Sequence, residues 1–431
     1  MIQLEMARIR VDNQKEVLAD IPVKMQEILK ELQVQLHPGM RVAVCAGSRG
    51  ISNYALVIRC VVDAIKSAGA EPFIIPAMGS HGGATAEGQA QVLSDYGITQ
   101  DAMGAQVVSS MQVVKFGELD EEPHIPVYMD ACAAEMDGII VVNRVKPHTD
   151  FHGEHESGIV KMLTIGLGKH AQALAVHRYG ADGLRDYIPK ISQKVIDSGK
   201  ILGGVAILED GYDHTADIVY APVDRMFEAD RALLERSRQL CAKLPFREAD
   251  VLVVDRIGKN FSGTGMDTNV IGRIMIPGQR DSGPHLHRIV ALDISDESHG
   301  NALGVGLADV ISKRLDDKVD WITTYENVIT SGFLARGNRP IVGETDRRAL
   351  EIALMCCGRP VTSDDVKVAR IPNTLHLNEM YVSRSLMEDI KDDPRVKQIG
   401  EFEPIQFDES GALLPFNGAD DTKSTSVEGK K

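Results

Sequence analysis

The sequence predicts an α/β protein built as two α/β domains with largely parallel sheets and a site in the cleft between them. At 431 residues the chain exceeds what one hydrophobic core usually supports. A unit of short apolar strand, polar loop and helix recurs along it, which is the grammar of parallel strands joined by helical crossovers. The loops after three of those strands carry Arg49, His81 and His148, and a parallel sheet brings such loops to one edge.

Each element follows from local pattern. An opening strand near residues 3–10 precedes helical apolar spacing from Ile21 to Leu36. RVAVC at 41–45 is a short buried strand that feeds the loop AGSRGISN, and a helix from Tyr54 to Ala68 ends at Gly69, a usual C-cap residue. The strand PFIIPAM runs into Gly79, Ser80 and His81, with a helix from about Ala84. Short strands near 107 and 113 and a helix around Val127 to Glu135 lead to the apolar run GIIVVN. Lys146, Pro147 and His148 form the loop beyond it, because a residue before proline avoids the α region. SGIVKML reads as a short helix burying Lys161, and Gly166 and Gly168 then break the chain before a second helix that carries His177. A helix near 183–198, the strand 200–208 and a helix from Arg225 to Lys243 close the first domain, 1–245. The second, 246–415, opens after Leu244, Pro245 and Phe246. It repeats the pattern with strands at 251–255, 288–294 and 366–371, helices near 301–314, 346–357 and 380–391, and a glycine-rich loop at 258–269. Residues 416–431 are nearly devoid of apolar side chains and are expected to be a disordered tail.

Composition narrows the function classes. The formal net charge of -15 argues against nucleic acid or an anionic membrane as partner, and no apolar run approaches the ~18 residues of a spanning helix. The opening residues lack the layout of a signal peptide, so a cytoplasmic location is expected. Six cysteines without a CxxC pair suit reduced, structural thiols. Homo-oligomerisation stays open.

Residues 138–180 hold five of the thirteen histidines, together with Lys161 and Lys169. Histidine takes and gives a proton near neutrality. His81 and His148, on separate loops, can therefore address opposite faces of a substrate. A buried lysine such as Lys161 loses its charge readily and can carry a covalent bond to a cofactor. A neutral imidazole at His177 can ligate a metal. Arg49 offers a bidentate clamp for a carboxylate, against the plainer reading of a surface salt bridge. The spacing of His148, His152 and His155 would suit zinc on a regular helix, which Pro147 and Gly153 oppose. Lone histidines such as His37, His214 and His376 read as surface or hydrogen-bonded residues. Gly166 with Gly168 and Gly304 with Gly306 complete no phosphate motif.

The ordered pieces VAVCAGSRGIS, PAMGSHGGATAEG, KPHTDF and GIVKMLTIGLG followed by AVH resemble the nickel-dependent lactate racemase family. The resemblance implies an isomerase, a racemase or 2-epimerase of a 2-hydroxy acid. Its cofactor would be a nickel-pincer nucleotide, nickel pyridinium-3,5-bisthiocarboxylic acid mononucleotide, joined to Lys161 through a thioamide. His177 would ligate nickel, Ser48 would lie at the cofactor, His81 and His148 would be the acid/base pair, and Arg49 would orient the substrate carboxylate. Apart from the resemblance, the second-domain tract 258–273, with Lys259, Asn260, Asp267 and Asn269, is expected to close over the substrate, Lys259 among its contacts, against the plainer reading of a glycine-rich turn. The implied reaction is a hidden redox step through a planar 2-oxo acid. Implied partners are the small-molecule substrate and the enzymes that make the cofactor. The chain departs from the family in having Ala46 and Gly50 beside Arg49. It also carries Asp150, His152, Glu154, His155 and Glu156 between His148 and Lys161, groups suited to a longer or more polar acid than lactate. The other readings kept open are a zinc-dependent hydrolase using His148, His152 and His155, and a nucleotide-cofactor-binding protein without turnover.

Overall fold

The computed structural model describes residues 3–48 and 50–416. Arg49 lies outside the described residues, as does the expected tail except Phe416, whose ring instead packs edge-on against Tyr381 at 4.9 Å between centroids.

Two sheets organise the chain, and their strands are mostly parallel. The first, six-stranded, runs in the order Gln106–Val107, Glu71–Pro76, Arg41–Ala46, Gly138–Arg144, Ile201–Glu209 and Thr215–Pro222. All but the last are parallel. The strand Arg41–Ala46 is buried from Val42 onward, as expected for a strand covered on both faces. Val42, Val44 and Ala46 face one core with the helix Tyr54–Ser67. Ala43 and Cys45 face another with the helices Gly180–Ile196 and Met226–Leu240. The helix Tyr54–Ser67 buries Val57, Ile58, Val61, Val62 and Ile65, each worth about 1.5–3 kcal/mol of transfer free energy.

The second sheet has nine strands. Five are parallel: Ile341–Gly343, Val310–Ser312, His285–Ala291, Glu248–Val254 and Val368–Ile371. Glu379–Ser383 joins antiparallel. Beyond it lies Glu5–Val11, the opening strand, which pairs with Glu379–Ser383, Val396–Gln398 and Glu403–Pro404. The opening strand thus belongs to the second sheet and not to the domain that its position in the sequence suggests. Backbone pairing with strands almost four hundred residues away leaves no mark on local pattern.

Other departures share this cause. The helix expected around Val127 to Glu135 is the strand Pro126–Asp130, paired with Val113–Glu118, followed by one helical turn, Ala131–Ala134. Residues 301–314 hold a short turn and the strand Val310–Ser312 before the helix Lys313–Lys318 begins. Residues 380–391 begin as the strand Glu379–Ser383 and turn helical only at Arg384. The expected break before the second helix is present: the helical turn Ile159–Lys161 runs into the π-type turn Met162–Gly166, the chain turns at Leu167 and Gly168 with Lys169 left-handed, and the helix Lys169–His177 follows. All six cysteines are unpaired. Among the described residues no helix is long and apolar enough to cross a membrane.

Candidate functional site

Parallel register fixes where the candidate residues go. Ala46 pairs with Pro76 on one side and with Val142 on the other. The loops that follow these three strands therefore leave the sheet at one edge. There Ser48 Oγ and His81 Nδ1 share a hydrogen bond. Gly47 lets the loops approach, since a Cβ there would sit 2.8 Å from Asn143 Oδ1.

The His81 loop is held from beneath. The buried Gln89 amide donates to the carbonyls of Gly79 at 2.9 Å and His81 at 3.2 Å, and accepts from Lys169 Nζ at 3.1 Å. Lys169 is itself fully buried and meets the equally buried Asp130 Oδ2 at 2.9 Å. This is a charge pair rather than an aligned hydrogen bond. It wires the segment between Lys161 and His177 to the loop that carries His81.

The His148 loop is closed at its neck and filled by one carboxylate. Lys146 N–H donates to Ser157 O at 2.7 Å, and Ser157 N–H returns the bond at 3.2 Å. Inside, Glu156 accepts from His148 N–H at 2.5 Å, Gly153 N–H at 3.1 Å and Arg238 at 2.7 Å. Burial works to raise the Glu156 carboxyl, but these donors and His152 outweigh it and hold it below its usual range.

His148 is buried against the Phe151 ring at 4.7 Å between centroids. Asp150 offers the same imidazole nitrogen two partners. Its backbone N–H donates to His148 Nδ1 at 3.1 Å, which suits a neutral ring. Its carboxylate lies 3.8 Å from that nitrogen, which suits a protonated one. A residue that finds a partner in both protonation states is equipped for proton transfer. The other nitrogen, Nε2, is 2.5 Å from Lys161 Nζ.

Lys161 is placed by a buried pair. Asp230 Oδ1 accepts from Val160 N–H at 3.3 Å, and its Oδ2 lies 3.0 Å from His155 Nδ1. The π-type turn, a feature that often marks functional sites, then carries the chain to His177. There Nδ1 is buried without a hydrogen-bond partner among the described residues. Burial first, and the Lys161 charge second, lower the His177 imidazole below its ordinary range, against opposing effects of Asp150 and the Ser331 backbone. His177 is accordingly neutral near pH 7. His148, Asp150, Lys161 and His177 share one electrostatic neighbourhood.

Residues from the second sheet's side close on this loop. Thr268 Oγ1 donates to Thr149 O at 2.7 Å, and Asn269 Nδ2 to His148 O at 3.2 Å. Lys146 Nζ lies 3.5 Å from Asp267 Oδ2. Arg336, 1% exposed, donates to Thr149 O at 2.8 Å and Ile274 O at 2.9 Å and pairs with Asp150. Burial favours protonated Asp150, yet the charges of His148, Arg336 and Lys161 prevail and hold it far below the usual carboxylate range. Lys259 donates to Gly263 O at 2.7 Å and Asn327 Oδ1 at 2.8 Å, bracing its own loop against the helix Trp321–Ser331.

The three histidines of the zinc reading do not converge. His148 turns to the Lys161 amine, His152 to Glu156 of the same loop and His155 to Asp230 on the helix Met226–Leu240, so each ring has a different partner. Sequence reasoning missed Arg336, Asp230 and the organising role of Glu156. Nothing in LARG at 334–337 distinguishes Arg336 from a surface arginine.

Residues 46–231 match a family described as a domain of unknown function, DUF362. No curated protein matches the chain. Among solved structures, the lactate racemase apoprotein from Thermoanaerobacterium thermosaccharolyticum superposes with a TM-score of 0.53 at 12% identity, over 85% of this chain and 94% of that one. The chain thus shares the α/β fold of that apoprotein.

Proposed function

We propose that the chain is an isomerase, a racemase or 2-epimerase of a 2-hydroxy acid, using a nickel-pincer nucleotide attached to Lys161. The observation that carries this reading is the meeting of Lys161 Nζ with His148 Nε2, beside a neutral His177 whose buried Nδ1 has no described partner. An orphaned buried nitrogen costs free energy unless a ligand uses it, and a neutral imidazole is the form that binds a metal. The residues present therefore fit the group: Lys161 would carry it, His177 would ligate its nickel, and Ser48 would lie beside it. When bound, it would supply a reversible acceptor for the C2 hydrogen.

The remaining work falls to the chain's own side chains. His148 would exchange the proton of the 2-hydroxyl through Nε2, with Asp150 supporting either protonation state through Nδ1. His81, whose Nδ1 faces Ser48, would do the same through its Nε2 from the neighbouring loop. Arg49 would orient the substrate carboxylate. In this reading the part of residues 1–245 beyond the opening strand holds the cofactor and acid/base groups, while 246–415, with Lys259, closes over the substrate. Arg336, Thr268 and Asn269, which clasp the His148 loop, support that division.

Mass spectrometry of the chain co-expressed with cofactor-making enzymes tests the attachment, and deuterium exchange at C2 across a panel of 2-hydroxy acids tests the chemistry. An adduct on Lys161 with exchange of one acid is expected. An unmodified Lys161 in that preparation sinks the cofactor assignment, and an adduct without exchange of any acid sinks the isomerase.

A further inference from the structure

We propose that Glu248, His285 and His287 bind a divalent transition cation, zinc or a first-row neighbour, at the N-terminal ends of two interior strands of the second sheet. The three side chains offer two imidazole nitrogens and a carboxylate oxygen, all within 4.8 Å of one another. Among the described residues no other group of three such ligands meets that spacing.

The strand pairing brings them together. Glu248 and His285 are the first residues of adjacent parallel strands and lie directly opposite in register. Side chains in that relation share a face, with backbones about 4.8 Å apart. His287 is two residues along and returns to the same face. Its Nε2 is 3.3 Å from Glu248 Oε1, and the two imidazole rings stand edge to face at 4.6 Å. A tetrahedral zinc ion holds nitrogen and oxygen ligands about 2.0–2.2 Å away, hence about 3.4 Å from each other. The side chains need only close by rotamer adjustment. Glu248 and His285 are exposed and His287 is half-buried, so the first two have room to move toward the third.

Two imidazoles and one carboxylate are a common three-ligand set for zinc, leaving a fourth position for water. The chain's net charge of -15 favours cation capture. Lys367, within reach of the Glu248 charge, is itself paired with Asp389 at 2.8 Å. The cluster shares no residue with the cleft: Glu248 and His285 open their strands, while Thr268 and Asn269, which meet the His148 loop, lie on the connection between those strands, and Arg273 on the same connection donates to Leu286 O at 2.9 Å. A bound ion would tie two neighbouring strands and stabilise the fold by mass action.

Calorimetric titration of zinc chloride into the chelator-stripped full chain, produced without cofactor-making enzymes, tests this. The His177→Ala chain serves as background, so that zinc in the cleft does not contribute. It is expected to bind one equivalent and to melt at higher temperature with zinc. In the same background His285→Ala with His287→Ala should weaken binding by at least about 10-fold, since even outer-shell partners are worth 10–100-fold. Equal binding with and without the two histidines overturns the proposal, as does absence of binding in the His177→Ala chain. Cobalt(II) gives a reading that needs no further variant: intense visible bands of a tetrahedral ion support the site, and only weak six-coordinate bands overturn it. None of these outcomes depends on whether Lys161 carries a nucleotide.

Discussion

Asp150 shows what a single residue does when charges from both sides of the cleft meet on it. Its carboxylate answers Arg336 from one unit and His148 from the other, and those cations keep it ionised in spite of burial. Replacing it as Asp150→Asn leaves the buried Arg336 charge unmatched, a change that costs about 3–5 kcal/mol in comparable buried pairs. Urea unfolding at pH 7 measures it. Because the folded-state value is depressed, the stabilisation is fully present above the unfolded aspartate value of about 3.9 and is lost as the pH falls below it. The wild-type chain should therefore lose stability more steeply than Asp150→Asn below about pH 4. His177 obeys the same sign. Its lowered value means that the unfolded chain binds the proton first, so stability declines as the pH falls below about 6.5. His177→Gln should flatten that part of the profile.

At the scale of elements, the turn that presents Lys161 depends on close packing at its start. A Cβ at Gly158 would lie 2.0 Å from Asp230 Oδ1, although the extended backbone there suits any residue. Gly158→Ala must displace Asp230, its bond to Val160 N–H and its contact with His155. Overpacking of this kind costs about 1–3 kcal/mol, and the loss should appear both in the urea midpoint and in the yield of Lys161 adduct. The wiring beneath His81 makes a second case. Lys169→Met strands the fully buried Asp130 and should destabilise by about 3–5 kcal/mol, while Lys169→Met with Asp130→Leu should recover a large part. Full additivity of the two substitutions would show that the pair is not coupled. The strands were legible where they are buried on both faces, as Arg41–Ala46 and Gly138–Arg144 are, because their apolar runs are continuous. Local pattern favours helix at Pro126–Asp130 and Glu379–Ser383, yet antiparallel pairing, not local propensity, decides their state.

For the whole molecule, the clasp between the units is the decisive feature. Arg336 reaches Thr149 and Asp150 across 187 and 186 positions of sequence. Arg336→Ala should loosen the His148 loop without unfolding either sheet. Hydrogen exchange checks this, with faster exchange expected at 146–150 and unchanged protection within Gly138–Arg144.

The sequence by itself determined the alternation of strand and helix and the placing of Ser48, His81, His148, Lys161 and His177 after or beyond buried strands. Those follow from short-range patterns: apolar runs, prolines and glycines that end elements, and polar loops between them. Only the tertiary structure decided that the opening strand joins the second sheet, that His148 meets Lys161 between Asp150 and Phe151, and that Arg336 holds the loop from the other side. Contacts between residues far apart in the chain are set by register and by the exclusion of water from the space between elements. Neither leaves a periodic trace in the order of the amino acids.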